Sequence, residues 1–329
     1  MIDIVVIGAG MSGIACARAL RAAGLPVRLI DKGRGIGGRM ATRRATVAGN
    51  GITFDHGAQY LDQSQGAANI AALGHEAVAE WQLAEGTSRI VGVPTMAALP
   101  KALAQDLDVT LNTRVVTVKE GANVYEIETD AGKTTASHTI ITVPAPQLTP
   151  ILGETHVIVQ QASRVLMRPC FTLMAAFSHD TVAPFVTKRA ANSVLPWIAQ
   201  NDTKPGRSRP FQTWIAQAHP DWSTTNIDVD RSEIKAQMLD LLCSELGVDP
   251  FKICHSDLHG WRYGLVEKPL GQSFLKHKML WAGGDWCCGP KVQDAWQSGS
   301  DIAANVLRTL ELSSSVRSEV ANKAGNSLT

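Results

Sequence analysis

A glycine-rich turn early in the sequence has the residue types and spacing that bind phosphate groups. Gly8, Gly10 and Gly13 follow the pattern G-x-G-x-x-G. Gly8 would permit a tight turn, Gly10 would let backbone N–H groups approach a pyrophosphate, and Gly13 would allow a helix to pack closely on a strand. Met11 and Ser12 would open that helix, whose N-terminus attracts anions. We therefore predict that residues 8–13 hold the phosphates of a dinucleotide.

The segments around this turn are those that a βαβ nucleotide-binding unit requires. The apolar run Ile4 to Ile7 predicts a strand buried on both faces, and Val27 to Ile30 predicts its parallel neighbour. Between them, Met11 to Ala23 predicts a helix that stops at Gly24. Asp31 follows the second strand, where a carboxylate would accept hydrogen bonds from an adenosine ribose. This context disfavours the alternative of a glycine turn without a ligand.

A second glycine-rich segment indicates FAD rather than NAD. Residues 32–40 read K-G-R-G-I-G-G-R-M. Gly38 would give the backbone a second close approach to the cofactor, and Arg39 has a guanidinium fork suited to phosphate oxygens. We place Lys32 in the same FAD site. A simple NAD dehydrogenase has no use for this segment, although a surface loop remains the alternative for Arg39.

A third motif follows a predicted strand from Met279 to Ala282. Gly283-Gly284-Asp285 comes next, and a helix is predicted from Val292 to Leu310. Asp285 would lie at the ribityl or pyrophosphate region of FAD, with an ordinary helix cap as the alternative. The first N–H groups of the helix would face the flavin pyrimidine and stabilise the anionic reduced flavin.

These motifs together resemble the amine-oxidase superfamily of flavoproteins. The stretches D-H-G-A-Q-Y at 55–60 and G-G-D-W-C at 283–287 resemble its renalase-like branch, with weaker matches at 91–96 and 204–207. The resemblance implies an α/β fold with two domains, like that of p-hydroxybenzoate hydroxylase and the amine oxidases. A Rossmann-type FAD domain would carry an inserted substrate domain with a mixed sheet.

The resemblance also implies which residues surround the cofactor. Residues 57–61 would pass beside the isoalloxazine ring, where a glycine lets the backbone meet the flavin, and Val115 would offer its backbone to the adenine. The implied FAD ligands outside residues 8–39 are Gly57, Ala58, Val115, Asp285 and Ala295. The implied substrate-binding residues are Gln59, Tyr60, Arg262 and Val292. Plain packing remains the alternative for Tyr60 and for the aromatic segment around Arg262.

The activity implied by the resemblance is oxidation of 1,2- and 1,6-dihydro isomers of NAD(P) to NAD(P)+, with oxygen reduced to hydrogen peroxide. No catalytic side chain is required, because flavin N5 accepts the hydride. We expect FAD to be bound noncovalently. A flavin amine oxidase or desaturase-like enzyme is the first alternative, and a non-catalytic FAD-fold binding protein is the second. Val93 and Thr95 replace the lysine and glycine expected in bacterial relatives, which leaves the substrate preference open.

Composition limits the partners. The 329 residues carry 31 Lys+Arg and 30 Asp+Glu, so a nucleic-acid or membrane partner is not expected. We expect small molecules instead, namely a neutral or modestly charged substrate and O2. No basic, apolar leader precedes the first strand, so we expect a cytoplasmic protein with reduced cysteines. Cys254, His255 and His259 have no accompanying carboxylate cluster, so no metal site is predicted.

The predicted domains are discontinuous. Residues 1–60, 95–150 and 275–312 would form the FAD domain, residues 61–94 and 151–274 the substrate domain, and residues 313–329 a flexible tail. A small β-meander is predicted from 108–118, 125–129 and 138–143, with further strands at 171–177 and 211–218. The clearest remaining helix is predicted from Asp230 to Leu246, with a core-facing stripe of Ile234, Met238, Leu241 and Leu242.

Overall fold

The computed structural model describes residues 3–83, 86–180 and 183–326, with side chains described up to residue 311. The strands are β1 (Ile4–Ile7), β2 (Val27–Ile30), β3 (Thr42–Val47), β4 (Asn50–Asp55), β5 (Val78–Gln82), β6 (Ser88–Gly92), β7 (Asp108–Thr110), β8 (Val115–Glu120), β9 (Tyr125–Thr129), β10 (Gly132–Ala136), β11 (His138–Ile141), β12 (Leu166–Phe177), β13 (Thr187–Arg189), β14 (Trp197–Gln200), β15 (Gln212–Gln217), β16 (Ile253–Lys268), β17 (Leu275–His277) and β18 (Leu280–Ala282). The helices are α1 (Met11–Ala22), α2 (Gln65–Leu73), α3 (Ala98–Leu103), α4 (Leu148–Leu152), α5 (Val157–Ala162), α6 (Pro220–Thr225), α7 (Arg231–Leu246), α8 (Asp285–Cys288) and α9 (Val292–Asn326).

A six-stranded sheet carries the glycine-rich turn. Its strand order is β17-β18-β11-β1-β2-β7, in which β17 runs antiparallel to β18 and the other described pairings are parallel. Every residue of β1 is buried, as its apolar run predicts. Ile4 and Val6 pack in one core with residues of α1 and α9, whereas Val5 and Ile7 pack in another with the strands of the meander. The parallel strands therefore end together at one edge, where a doubly wound sheet binds its ligands.

The meander differs from the prediction at its start. Residues 108–118 do not form one strand: β7 pairs with β2 at the edge of the six-stranded sheet, and β8 joins β9 and β10 in a separate sheet. The chain turns between them at Asn112, whose φ of 54° is tolerated by asparagine better than by most residues. The N–H of Asn112 donates to the carbonyl of Gly33 and that of Thr113 to the carbonyl of Asp31, so this turn supports the segment that follows β2.

A second sheet lies within residues 166–268. Its order is β13-β14-β15-β12-β16, and all its described pairings are antiparallel. Helix α7 packs on this sheet and begins after Asp230, whose side chain accepts from the N–H of Ser232, as expected of an N-cap. The predicted apolar stripe is wrong at Leu241, which is 38% exposed. Leu242, which belongs to the same predicted stripe, does face the sheet, because it lies four residues after the buried Met238.

The C-terminal elements follow the predicted order with one addition. The short helix α8 stands between β18 and α9, and α9 begins at Val292 as predicted. Helix α9 does not end at Leu310 as predicted, because its backbone continues as a helix to Asn326. The flexibility predicted for residues 313–329 stays a prediction, as do the domain boundaries. None of the described helices combines the length and apolar character needed to span a membrane.

Candidate functional site

A cavity of about 1900 Å³ opens at the edge where the parallel strands end. Every site residue predicted from the sequence lines it, with the exception of Gly13. The segments that contribute include the glycine-rich turn, the 31–44 and 56–63 segments, the 113–116 and 142–151 segments, β16 and the start of α9. A smaller cavity of about 520 Å³ on the β8–β9–β10 sheet contains none of the predicted residues. The large cavity is therefore the candidate functional site.

The glycine-rich turn has the geometry of a phosphate-binding loop. Gly8 has a φ of 110°, which favours glycine, and a Cβ at Gly10 would meet nothing within 4 Å. A Cβ at Gly13 would lie 1.9 Å from the carbonyl oxygen of Gly8, so this glycine serves packing rather than the cavity wall. The hydroxyl of Ser12 is buried and has no hydrogen-bond partner among the described residues. With the free N–H groups of the first turn of α1, the loop can receive an anion.

Asp31 holds two glycine-rich segments together. Its Oδ2 accepts from the N–H of Ala9 at 2.6 Å, and its Oδ1 accepts from the N–H of Gly33 at 2.6 Å. The sequence predicted a ribose contact for this carboxylate but not this structural role. A carboxylate accepts about four hydrogen bonds, so the ribose contact stays a prediction. Next to it, Lys32 donates to Gln147, and burial and the Arg114 cation lower the pKa of Lys32.

Arg39 and Asp285, predicted separately, form an ion pair. The Nη2–Oδ1 distance is 2.6 Å, and the Asp285 side chain is only 9% exposed. Asp285 Oδ1 also accepts from the N–H of Trp286, and Arg39 Nη1 donates to the carbonyls of Tyr263 and Gly264 in β16. The pair therefore links the 38–40 turn, the start of α8 and β16 at the cavity wall.

A backbone contact within the chain already requires a glycine at position 57, whether or not a ligand approaches it. A Cβ on this residue would lie 1.9 Å from the carbonyl oxygen of Arg39, and the same oxygen accepts from the N–H of Ala58 at 2.8 Å. The sequence-based explanation, in which glycine lets the backbone meet a flavin ring, missed this contact. The 38–40 turn and the 56–60 segment thus touch directly through their main chains.

A buried charge cluster lies behind the 56–60 segment. Asp55 is fully buried and pairs with Arg207 at 2.6 Å and Lys204 at 3.2 Å. Burial alone would raise the pKa of Asp55, but the two cations outweigh it and hold the pKa at about 2. Lys204 Nζ also lies 3.3 Å from Gln59 Oε1, and Gln59 donates to the carbonyls of Gly57 and Asp55. The cluster thereby fixes Gln59, a predicted substrate residue, in the cavity wall.

Two histidines of the cavity wall pack against an indole. His56 stacks on Trp261 with the ring centroids 5.3 Å apart, and His259 meets the same indole edge-on at 4.2 Å. Burial, with a smaller effect of the Arg43 cation, lowers the pKa of His56 to about 4, and burial also lowers the pKa of His259 to about 4. Both rings are therefore neutral near pH 7. No group of three His, Cys, Asp or Glu within the described residues is arranged to hold a metal ion.

Two arginines that the sequence did not single out surround Tyr60. The guanidinium carbons of Arg89 and Arg189 lie 5.5 and 5.8 Å from the centre of its ring, and Arg189 donates to its hydroxyl. Arg189 also lies over Trp197 at 4.5 Å. Of the other predicted substrate residues, Arg262 pairs with the exposed Asp228 at 3.1 Å. Only the folded chain brings Arg89, Arg189 and Trp197 to Tyr60, since nothing in their local sequence marks them.

Charge is distributed unevenly in the cavity wall. Among the described residues, three carboxylates line it: Asp31, Asp62 and Asp285. The cationic residues that line it are Lys32, Arg34, Arg39, Arg43, Arg44, Arg89, Lys101, Arg114, Arg189, Arg262 and Lys291. A chain with a formal charge of +1 thus concentrates cations at this one place. The wall favours anionic ligands, including the pyrophosphate of a dinucleotide.

Comparisons with known proteins agree with this fold. Residues 6–74 match the NAD(P)-binding Rossmann-like domain, and residues 67–307 match the family of flavin containing amine oxidoreductases. A protein of Exiguobacterium sp. 255-15, provisionally identified as a protoporphyrinogen oxidase, has a similar fold, with 12% identity and a TM-score of 0.70 over 93% of this chain and 98% of that one. Putrescine oxidase bound to putrescine is also similar, with 15% identity and a TM-score of 0.68 over 93% and 99%.

The fold and the site define a flavin-dependent oxidoreductase with a Rossmann-type FAD-binding domain and an amine-oxidase domain. The chain belongs to the family of flavin containing amine oxidoreductases. This confirms the predicted fold class and the FAD cofactor.

The residues present fit FAD. Ser12 supplies an unpartnered buried hydroxyl, Gly10 leaves open space, and Arg39 stands at the cavity wall as a guanidinium fork. When bound, FAD supplies a ring that accepts a hydride at N5 and passes the electrons on to an acceptor. The protein itself has to bind the phosphates, orient the donor carbon and exclude water.

Proposed function

We propose that this flavoprotein oxidises dihydronicotinamide dinucleotides reduced at the 2- or 6-position of the ring. The donor would lose a hydride and become NAD(P)+, and O2 with one proton would become hydrogen peroxide. The observation that carries the proposal is the excess of cations in the cavity wall, because such a donor brings a pyrophosphate of its own. The renalase-like stretches at 55–60 and 283–287 support the same choice.

The residue roles in this proposal are those predicted from the sequence. Gln59, Tyr60, Arg262 and Val292 would line the nicotinamide side. FAD would be held by Gly8, Gly10, Met11, Ser12, Gly13, Asp31, Lys32, Gly38, Arg39, Gly57, Ala58, Val115, Asp285 and Ala295. Gly13 would act through packing, because it does not line the cavity.

We infer that FAD is bound noncovalently. Cys170 is the one cysteine among the described residues that lines the cavity, and burial raises the pKa of its thiol to about 12. A thiol that stays protonated is a poor nucleophile. Acid precipitation should leave the flavin in the supernatant, whereas a yellow pellet would contradict noncovalent binding.

An amine substrate is less well supported by the same wall. Cations outnumber carboxylates among the described residues of the wall, which disfavours a protonated amine, and each of the three carboxylates has partners within the chain. Asp62 pairs with Lys291 at 2.8 Å, Asp285 pairs with Arg39, and Asp31 accepts from two backbone N–H groups. The amine-oxidase alternative nevertheless belongs to the same family, so the experiment includes it.

The test is anaerobic mixing of the purified holoprotein with two kinds of donor. One is an equilibrated NADH preparation that contains its 2- and 6-dihydro isomers, and the other is putrescine. Absorbance at about 450 nm follows the oxidised flavin. Bleaching by the isomers that recovers with oxygen and yields hydrogen peroxide is the expected result. Bleaching by putrescine and not by the isomers would replace the proposal with an amine oxidase.

A further inference from the structure

We propose that Arg89 and Arg189 form an anion-binding subsite beside Tyr60, and that this subsite takes the phosphate groups of the substrate. The identity of the substrate rests on the proposed function. The position of the subsite rests on contacts within the chain, which hold for any anionic substrate of the cavity.

Three separate segments bring these side chains together. Tyr60 follows the 56–59 segment, Arg89 comes from β6 of the β5–β6 hairpin, and Arg189 ends the edge strand β13. Both guanidinium groups lie within 6 Å of one ring centre, at 5.5 and 5.8 Å. Trp197 of β14, paired with Arg189 in the sheet, adds a second aromatic surface 4.5 Å from the Arg189 guanidinium.

The two guanidinium groups have no anionic partner in the described part of the chain. Four other cations of the wall form ion pairs: Arg43 with Asp257, Lys291 with Asp62, Arg39 with Asp285 and Arg262 with Asp228. What sets Arg89 and Arg189 apart from the remaining wall cations is that both lie within 6 Å of one aromatic ring. Arg89 donates to the carbonyl of Ser88, and Arg189 donates to the hydroxyl of Tyr60. Both acceptors are neutral, so these hydrogen bonds leave the two positive charges without a counter-ion. Two unpaired cations facing one ring repel each other, and a bound anion would remove that repulsion.

The aromatic residues keep the guanidinium groups in place without neutralising them. Stacking on Tyr60 and Trp197 fixes the planar forks by cation–π attraction, which costs the arginines none of their charge. Trp197 is 8% exposed and its indole N–H has no hydrogen-bond partner among the described residues. A fork held in this way is suited to bidentate binding of phosphate oxygens.

The experiment compares donors that differ only in their phosphates. The kcat/KM of the holoprotein is measured with equilibrated isomer mixtures of reduced dinucleotide and of reduced nicotinamide riboside, which has no phosphate. Arg89→Gln and Arg189→Gln should each lower kcat/KM for the dinucleotide by about tenfold or more, the usual effect of losing a charge-assisted hydrogen bond. The value for the riboside should change by less than about threefold. Arg189→Lys should lower kcat/KM for the dinucleotide less than Arg189→Gln does, since lysine keeps the positive charge.

The matched control is Arg28→Gln, which removes a half-exposed arginine outside the cavity and should leave kcat/KM for both donors unchanged. An equal loss on both donors, or no loss on either, would overturn the subsite. If the wild-type protein oxidises neither donor, the proposed function is wrong, and the subsite is then tested by the binding of NAD+ instead of by turnover. Calorimetry of NAD+ with the holoprotein at low salt should then show at least tenfold weaker binding by the two glutamine variants. Equal affinity, or no binding at all, would overturn it.

Discussion

Asp55 carries a negative charge in a place that no water reaches. Its stability there depends on Lys204 and Arg207, which lie in a single loop, and on the hydroxyl of Thr42 and the N–H of Met96. The folded pKa of about 2 is below the ordinary value of 3.8. The contribution of this group to stability is therefore complete above about pH 4 and is lost as the pH falls through about 2.

Asp55→Asn should lower the free energy of unfolding by about 3–5 kcal/mol at pH 7, because it leaves two buried cations without a counter-ion. The difference from wild type should shrink as the pH falls from about 4 toward 2. Urea unfolding followed by tryptophan fluorescence measures both quantities. Lys252→Met is the control, since it removes an exposed pair with Asp180 and should cost at most about 1 kcal/mol. A difference that does not vary with pH would contradict the assignment.

Arg39→Ala should weaken FAD binding by about 10- to 150-fold, the range expected when charge-assisted hydrogen bonds to phosphate are lost. The ratio of flavin to protein absorbance after dilution measures the effect. Arg39 also neutralises Asp285, so the double variant with Asp285→Asn separates the two roles. Recovery of FAD binding in the double variant would show that Arg39 serves only to neutralise Asp285.

The sequence predicts site residues that belong to a local motif, and it misses residues that come together only in the folded chain. Gly8, Gly10 and Asp31 lie within one βαβ unit, so their spacing alone indicates their place. Arg89 and Arg189 are 100 positions apart on the edges of different sheets. No periodicity or motif links them, and only the fold brings both guanidinium groups to the ring of Tyr60.

At the scale of elements, the packing of α9 on α1 controls the shape of the phosphate loop. A Cβ at Gly299 would lie 2.0 Å from the carbonyl oxygen of Ser12, in the first turn of α1. The backbones of the two helices therefore approach each other at the very turn that would receive the pyrophosphate. Any side chain at this position has to push Ser12 away.

Gly299→Ala should lower stability by about 1–3 kcal/mol, as overpacked sites do, and should also reduce FAD content because Ser12 is displaced. Thermal unfolding and the flavin absorbance of the purified protein report the two effects. Gly51→Ala is the matched control, because a Cβ there meets nothing within 4 Å. Unchanged FAD content in the Gly299 variant would mean that the loop tolerates the displacement.

Elements were predictable where burial is continuous and pairing is local. β1, β2 and α1 follow from an apolar run, a glycine turn and a helix stop. The 16-residue strand β16 was not predicted, because its residues alternate irregularly between half-buried and exposed positions. Its pairing with β12 contains register shifts. Such a strand is defined by its distant partner, which the local sequence does not reveal.

At the scale of the whole molecule, the formal charge of +1 conceals the cationic cavity. The near balance of charges suggested a neutral or modestly charged substrate. The fold separates the charges in space, because most acidic residues lie away from the cavity wall. The net charge of a chain is thus a poor guide to the local electrostatic potential when one site gathers charges of the same sign.

This separation predicts a salt effect that depends on the ligand. The association rate of a phosphate-bearing ligand such as NAD+ should fall as ionic strength rises, since screening shortens the Debye length from about 10 Å at 0.1 M to about 3 Å at 1 M. Association of nicotinamide riboside, which lacks phosphates and carries the positive charge of its pyridinium ring, should not fall and should instead rise slightly as salt screens its repulsion from the wall. Stopped-flow mixing over a salt series compares the two. Equal salt dependence would contradict electrostatic steering by the cavity.

The contact between Gly57 and the carbonyl of Arg39 has a practical consequence for attaching other molecules to the protein. Strands β3 and β4 leave and re-enter the cofactor region at this contact, and the Thr42–Asp55 hydrogen bond at 2.8 Å lies beside it. The tip at residues 48–51 is exposed and turned by Ala48 and Gly49, which have positive φ. A peptide tag inserted at the tip should leave flavin content unchanged, as the absorbance ratio would show. The contacts at the base of the hairpin hold it in place, and its exposed tip is a position where a tether or reporter can be attached without contacting the cofactor region.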